Sequence, residues 1–417
     1  MAKVRHGSYG LMAALDIGTS KVACLVARRE DEGGVRALGV GQTVARGIEA
    51  GAVVDMDGAE RAVATAVQAA EQSSGERIDA VYVNISTGGP ESQSALVEVA
   101  VGGHEITERD VRRILGHSRG AIDRPDRSVI QSFTVGYTID GGNGVRDPRG
   151  MVAERLGVHV HLVTAATTPL RNLEGCIGRS QLDVAARVVS PYAAALATLV
   201  DDEMELGVTV VDMGAGTTSA AVFVDGTCVR TEIMPIGGQH VTNDVARILA
   251  TSATHAERMK TLFGSCVASR DDDREVIDVP TLGEPSPGGV NHVPRSLLVG
   301  IIRPRVEETL EILRSRLDDA GVLKGAGRRM VLTGGASQLP GVRDLAAQVL
   351  GKQVRIGRPL WVKGLAETTG GPAFATCAGL LRYAQRESEV PSVAPWVAEA
   401  SLLDRFGRIG QWLRETF

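Results

Sequence analysis

The sequence predicts an α/β protein built from two duplicated domains in tandem, each interrupted by an insertion. Three observations lead there. An apolar run, an Asp-x-Gly turn and a second apolar run occur twice, as Ala14-Leu-Asp-Ile-Gly-Thr-Ser-Lys-Val-Ala-Cys-Leu-Val26 and Val210-Val-Asp-Met-Gly-Ala-Gly-Thr-Thr-Ser-Ala-Ala-Val-Phe223. Two apolar runs joined by a short Gly-containing turn predict a β-hairpin. After each copy, strand-like and helix-like stretches alternate: strand 35–44, helix 57–71 and strand 80–86 after the first, strand 228–236 and helix 240–249 after the second. That alternation marks the α/β class with a mixed sheet. Finally, 417 residues exceed one ordinary compact domain and are ample for two cores.

The remaining elements follow in chain order. The first insertion, 88–165, reads as a strand over 95–101, a helix over 107–118 and strands over 128–139 and 157–165. Thr107 is the expected N-cap of that helix, with Asp110 at N3 as a short-armed version of the capping box. The second insertion, 242–325, holds a Pro/Gly-rich loop at 280–294 and a long amphipathic helix near 306–317. The first domain therefore comprises 1–87 and 166–200, and the second comprises 201–241 and 326–384. From 385 to 399 the texture turns charged, then Pro-bearing with Pro391 and Pro395, which marks a linker before a terminal segment at 400–417.

Composition excludes several function classes. Aromatics are 3% of the chain while Gly numbers 50, so the cores rest on Val, Leu, Ile and Ala with close backbone approach. The formal net charge is −5 without a basic block, which argues against nucleic acid as a partner. Five scattered cysteines without a CxxC pair read as buried thiols in a reducing compartment. His159 and His161 alternate on an expected strand, where a structural role outweighs metal ligation. Residues 1–10 lack the apolar core of a signal peptide, and no window is apolar enough to span a bilayer.

The two hairpins carry the chemistry. Gly18 in the first turn and Gly214 and Gly216 in the second let backbone N–H groups converge on an oxyanion without a Cβ in the way. Thr19, Ser20, Thr217 and Thr218 add hydroxyl donors, and Lys21 adds a cation. Asp16 and Asp212 suit a hydrated Mg²⁺ held between them, because that ion keeps several waters and takes one or two carboxylates. A single copy reads more readily as a plain turn beside a solvated acid. Two copies in register, 196 positions apart, favour the phosphate-binding reading. A third glycine site, Met330-Val-Leu-Thr-Gly-Gly-Ala-Ser-Gln-Leu-Pro-Gly341, predicts a strand ending at Leu332 and a helix beginning near Leu339 or Pro340. Gly334 and Gly335, with Ser337 beside them, permit flat contact with a nucleoside. Gly237 and Gly238 are placed to close the same crevice.

These elements, together with a connecting helix after Ser190-Pro191-Tyr192, resemble the superfamily of actin, sugar kinases and DnaK-type chaperones. The closer resemblance is to the bacterial cell-division family FtsA. It rests on Leu15-Asp-Ile-Gly-Thr-Ser-Lys-Val22, Val211-Asp-Met-Gly-Ala-Gly-Thr217, Val331-Leu-Thr-Gly-Gly-Ala336, Arg355-Ile-Gly357 and the ending Trp412-Leu-Arg-Glu-Thr-Phe417, and covers nearly the whole chain in order. It implies an actin-like fold of two ribonuclease-H-like domains, 1A and 2A, with insertions 1C and 2B. It further implies ATP and Mg²⁺ between the domains, filaments on the inner face of the cytoplasmic membrane at the septum, and recruitment of the tubulin-like protein FtsZ through its C-terminal peptide. Later division proteins are implied partners of the 88–165 insertion. Glu257 and Lys260 match the family's nucleoside contacts, and Arg305 and Glu308 match positions implicated in docking the FtsZ peptide. By spacing alone, Arg305 and Glu308 are equally an i,i+3 surface ion pair. No residue identifies itself as a catalytic base, so hydrolysis is expected to be slow at most.

The terminal segment reads as an amphipathic membrane anchor. At about 100° per residue, Leu402, Phe406, Ile409, Leu413 and Phe417 share one face, flanked by Leu403 and Trp412. Seven such side chains at roughly 1.5–3 kcal/mol each, if fully buried, supply ample apolar insertion. Three arginines against two acids leave only a weak charge for anionic lipid. The same pattern fits docking on the chain's own domain or on a partner helix; the Pro-bearing linker argues against it. Two further readings compete for the whole chain: a small-molecule kinase of the same fold, and an actin-like component of a pilus or secretion machine.

Overall fold

Residues 10–30, 34–121, 124–282, 290–323 and 325–389 are described by a computed structural model; the terminal segment 400–417 lies outside them. The apolar runs around the first Asp-x-Gly become strands Leu11–Ile17 and Lys21–Arg29, with Asp16 opposite Ala23. The second copy becomes Val208–Met213 and Thr218–Val224, with Asp212 opposite Ser219. The turns match atom for atom: the Gly18 N–H donates to the Lys21 carbonyl at 3.0 Å, and the Gly214 N–H to the Thr217 carbonyl at 2.8 Å. The duplication therefore extends from the motif to its register.

Each hairpin continues into a third antiparallel strand, Val35–Val44 or Thr227–Met234. On its other side each pairs in parallel with Ala80–Ile85 or Arg329–Thr333. The first sheet is completed by Asp183–Val189 and Val362–Lys363 at its edges, the second by Gln353–Ile356. The parallel strands direct their carboxyl ends at one crevice, where α/β sheets bind ligands. Helix Met56–Ser74 shows how the alanine- and glycine-rich composition works. Asp55 caps it, accepting the Asp57 N–H, and Gly75 ends it at φ +71°. Its buried face is Ala59, Ala62, Val63, Ala66, Val67 and Ala70, laid so close to strand Val35–Val44 that a Cβ on Gly41 would come 1.9 Å from the Ala66 carbonyl.

Two helices, Ser190–Thr198 and Ala375–Glu389, cross between the domains. Their contact depends on Gly379, where a Cβ would lie 1.7 Å from the Ala193 carbonyl. Gly379→Ala gains about 1 kcal/mol of helix propensity but forces this crossing apart at a typical overpacking cost of 1–3 kcal/mol or more. The expected result is a net loss of about 2 kcal/mol, read from the urea midpoint at unchanged m-value. The second of these helices runs to Glu389, so it occupies the first five positions of the expected linker 385–399. There Gln385 is buried and Arg386 pairs with Asp201 at 2.7 Å, which holds the last turns against the body of the protein.

The first insertion is a four-stranded sheet in the order Glu91–Glu105, Val152–Ala166, Arg127–Ile139, Gly142–Val145, packed on helix Glu108–Arg119. The Thr107 N–H and hydroxyl both donate to Asp110 Oδ2, at 3.1 and 2.6 Å. This sheet also touches the outermost strand of the second domain. The Thr231 N–H donates to Ser92 Oγ at 3.1 Å, Arg230 donates to the Ser92 carbonyl at 3.2 Å, and His161 Nδ1 meets the Cys228 carbonyl at 3.0 Å. His161 is buried and stacked on Phe133. Burial holds its pKa down to about 4, so the ring is neutral and structural, as the strand alternation indicated.

In the second insertion the long helix spans Arg295–Asp319, eleven residues earlier than the expected start at 306. Pro304 broke the pattern in the sequence. In the structure Leu298, Ile301 and Ile302 are buried in the core of the second domain, and that packing carries the helix through the proline despite its missing N–H. All five cysteines are free and buried.

Candidate functional site

The two turns face each other across a cleft of about 940 Å³ between the domains. Asp16, Gly18, Thr19, Ser20 and Lys21 line one wall, and Asp212, Gly214, Gly216, Thr217 and Thr218 the other. Gly237, Gly238, Glu257, Lys260, Gly334 and Gly335 complete it. The glycine requirement is steric. A Cβ on Gly216 would sit 2.2 Å from Thr19 Oγ1 across the gap, and one on Gly334 (φ +86°) 2.3 Å from Asp212 Oδ1. Gly335 differs: the nearest atom to a Cβ there is Ala373 Cβ at 3.9 Å, so its open side faces the cleft.

One expected residue and one expected boundary are displaced. Ser337 is buried outside the cleft lining, its hydroxyl donating to the Gly334 carbonyl at 2.7 Å. The segment after the glycines is a 3-10 turn, Gly335–Gln338; the α-helix begins only at Val342, after Gly341 at φ +78°. The third glycine site thus meets the crevice with a tight turn rather than with an α-helix opening at Leu339 or Pro340.

Electrostatics centres on the two acids. Burial pushes Asp16 up to about 7; Lys21 opposes that shift and Asp212 adds to it. Asp212 is also raised by burial, against a hydrogen bond from Thr376 Oγ1 at 2.9 Å and the charge of Lys21. Lys21 is itself held below its ordinary value by burial, with its ammonium 3.3 Å from the Phe374 ring centroid. One desolvated cation thus serves two desolvated carboxylates, which favours a further cation when both are ionised. Among the described residues no three or more His, Cys, Asp or Glu side chains cluster as a full metal cage. A carboxylate pair without a cage fits Mg²⁺, which keeps waters and shares phosphate oxygens, better than zinc.

Three contributors escaped the sequence reading. Asn84 Oδ1 accepts the Ile17 N–H at 2.8 Å just before the first turn, and its amide reaches Ser190 Oγ at 3.4 Å. Asn84 and Ser190 sit at the carboxyl ends of neighbouring parallel strands, a position derivable from topology but carrying no motif. Thr376 opens the last described helix.

In the second insertion Lys260 donates to the Gly238 carbonyl at 3.0 Å, Thr242 Oγ1 at 2.8 Å and Glu257 at 2.6 Å, tying two helices together under the cleft. Arg305 and Glu308 do form the i,i+3 pair, at 2.6 Å. Arg305 also grips Asp244 with Nε at 2.5 Å and Nη2 at 3.3 Å, clamping the long helix to helix Gly238–Ile248.

Comparison with known proteins decides between the competing readings. A family model described as Cell division protein FtsA matches residues 209–379, and another, SHS2 domain inserted in FTSA, matches 88–164. The cell division protein FtsA of Rhizobium meliloti (strain 1021) is 40% identical over 420 residues, covering 98% of this chain and 95% of that one. The chain belongs to the FtsA family. The FtsA of Escherichia coli (strain K12) is 31% identical, with 98% of each chain covered. Among solved structures, a PilM-PilN type IV pilus biogenesis complex aligns at TM-score 0.63 and 16% identity, covering 89% of this chain and 97% of that one. MreB5 of Spiroplasma citri bound to ADP aligns at 0.54 and 12%, covering 91% and 99%. Both likenesses establish the actin-like fold. FtsA membership makes this a cell-division protein and leaves the kinase and pilus-component readings without support. Among the described residues no helix is long and apolar enough to cross a membrane.

Proposed function

We propose that this FtsA-family chain binds ATP with Mg²⁺ in the interdomain cleft, polymerises on the inner face of the cytoplasmic membrane and tethers FtsZ there. The observation that carries the reading is the pair of turns with matching hydrogen bonds facing each other, with buried Asp16 at the root of one and half-buried Asp212 at the root of the other, in a chain of this family. Thr19, Ser20, Thr217 and the backbone N–H groups of the turns supply phosphate donors, and Lys21 supplies a cation. Asp16 and Asp212 would hold the Mg²⁺, which neutralises phosphate charge when bound. Gly334 and Gly335 receive the nucleoside, with the half-exposed carboxylate of Glu257 beside it. Asp16 and Asp212 serve the metal, and no residue is assigned as a catalytic base, so the reading is of a binding and assembly protein whose turnover is slow or absent. Half-buried Arg305 and exposed Glu308, on the outward side of the long helix, are the residues we assign to docking an FtsZ peptide.

The membrane contact belongs to the segment 400–417, through Leu402, Leu403, Phe406, Ile409, Trp412, Leu413 and Phe417. A single such segment is a weak tether; polymerisation multiplies it. Sedimentation with liposomes in ATP tests the reading. The full chain is expected in the pellet, and both the chain lacking 401–417 and Trp412→Glu in the supernatant with ATP binding intact. Equal retention of the truncated chain on liposomes removes the tether from the proposal.

A further inference from the structure

The two acids of the cleft are held in different ways. Among the described residues none donates a hydrogen bond to the Asp16 carboxylate; burial, Lys21 and Asp212 are its influences. Asp212 is fixed from two sides. Thr376 Oγ1 donates to its Oδ2 at 2.9 Å, while its Oδ1 lies so close to Gly334 that a Cβ there would approach to 2.3 Å. Thr376 is only 7% exposed and sits in the first turn of helix Ala375–Glu389, whose next residue, Cys377, points its thiol at the Ala14 and Ala23 carbonyls at 3.7 Å. The hydroxyl is therefore mounted on a rigid, buried element, 164 residues from the carboxylate it holds.

A metal-binding carboxylate is useful in proportion to how little it must rearrange. A partner that fixes it from behind commonly changes metal affinity 10- to 100-fold. We propose that Thr376 is a positioning residue for the cation site: its hydroxyl fixes the Asp212 carboxylate in the orientation that receives Mg²⁺ with the nucleotide. The inference rests on the Mg²⁺–nucleotide reading of the cleft. Thr376 touches neither the metal nor the phosphates in this assignment; it acts through Asp212.

Thr376→Val deletes the hydroxyl at nearly constant shape, and Thr376→Ser restores it. ATP affinity of the full chain is measured calorimetrically in excess Mg²⁺ and again in EDTA, with the thermal midpoint of the ligand-free protein as a folding control. The expected result for T376V is about a tenfold loss in Mg²⁺, equivalent to about 1.4 kcal/mol, and no change in EDTA. T376S recovers the wild-type value in Mg²⁺. Wild-type affinity of T376V in Mg²⁺, or an equal loss in both media, overturns the positioning role while leaving the cleft assignment standing. A wild-type protein whose ATP affinity is the same in both media overturns the Mg²⁺ reading itself, and the role of Thr376 with it.

Discussion

Asp16→Asn is expected to abolish most of the Mg²⁺ dependence of ATP binding, weakening it on the order of 100-fold, or about 2.7 kcal/mol, while making the ligand-free protein more stable at pH 8. Both effects have one cause. Burial raises the Asp16 pKa from an ordinary 3.8 to about 7. Between those values the folded state binds a proton that the unfolded state has released, so this residue's contribution to stability falls as pH rises from about 4 to about 7. Above that window the folded protein carries a desolvated carboxylate beside Asp212, at a cost of order a few kcal/mol. Asparagine removes the cost and the metal ligand together. In wild type the same ionisation favours Mg²⁺–ATP, so binding should tighten as pH rises towards 7 and release a proton below it. Calorimetry in buffers of different ionisation enthalpy measures the proton; thermal melts at pH 5 and pH 8 measure the stability. A D16N variant with wild-type affinity in Mg²⁺, or with unaltered pH dependence of its melting, contradicts this account.

Gly335→Trp is expected to eliminate detectable ATP binding without lowering the melting temperature of the ligand-free protein by more than about 0.5 °C, a shift of about 0.5 kcal/mol for a chain of this size. The residue has room for a Cβ and lines the cleft, so an indole is directed into the nucleotide space rather than into the core. The adjacent Gly334→Ala makes the opposite comparison. One methyl group there meets Asp212 Oδ1 at 2.3 Å and must adopt φ +86°, so the fold should lose about 2 kcal/mol. Fluorescent-nucleotide titration and thermal melts separate the two. If G335W binds ATP normally, the nucleotide does not lie against this turn.

The elements that run in regular patterns were legible in the sequence. Strands Leu11–Ile17, Lys21–Arg29 and Val35–Val44 follow from apolar runs around a turn, and the 196-residue offset between the hairpins exposes the duplication. What failed was local pattern set against tertiary packing: Pro304 hid the first turns of helix Arg295–Asp319, and charge content hid the last turns of Ala375–Glu389. Most of the glycines, acids and hydroxyls that line the cleft were readable because the two hairpins repeat them at the same spacing. Asn84 and Thr376 were not, because each acts by hydrogen-bonding across the fold from an element with no motif of its own. Asp244 was hidden for the same reason: 61 residues separate it from Arg305.

The seam between the first insertion and the second domain bears on how copies of such a protein can crowd together safely. Strand Thr227–Met234 is the outermost of its sheet, and a bare outer strand is a template for recruiting another chain's backbone. Here the inserted sheet lies against it: Ser92 accepts from the Thr231 N–H and from Arg230 of the strand, and His161 meets the Cys228 carbonyl. The opposite border, Gln353–Ile356, is only four residues long. The sheet of the second domain thus offers little open ladder for amyloid-like growth. Association through this part of the fold would fall to side-chain surfaces, which can be released as well as formed.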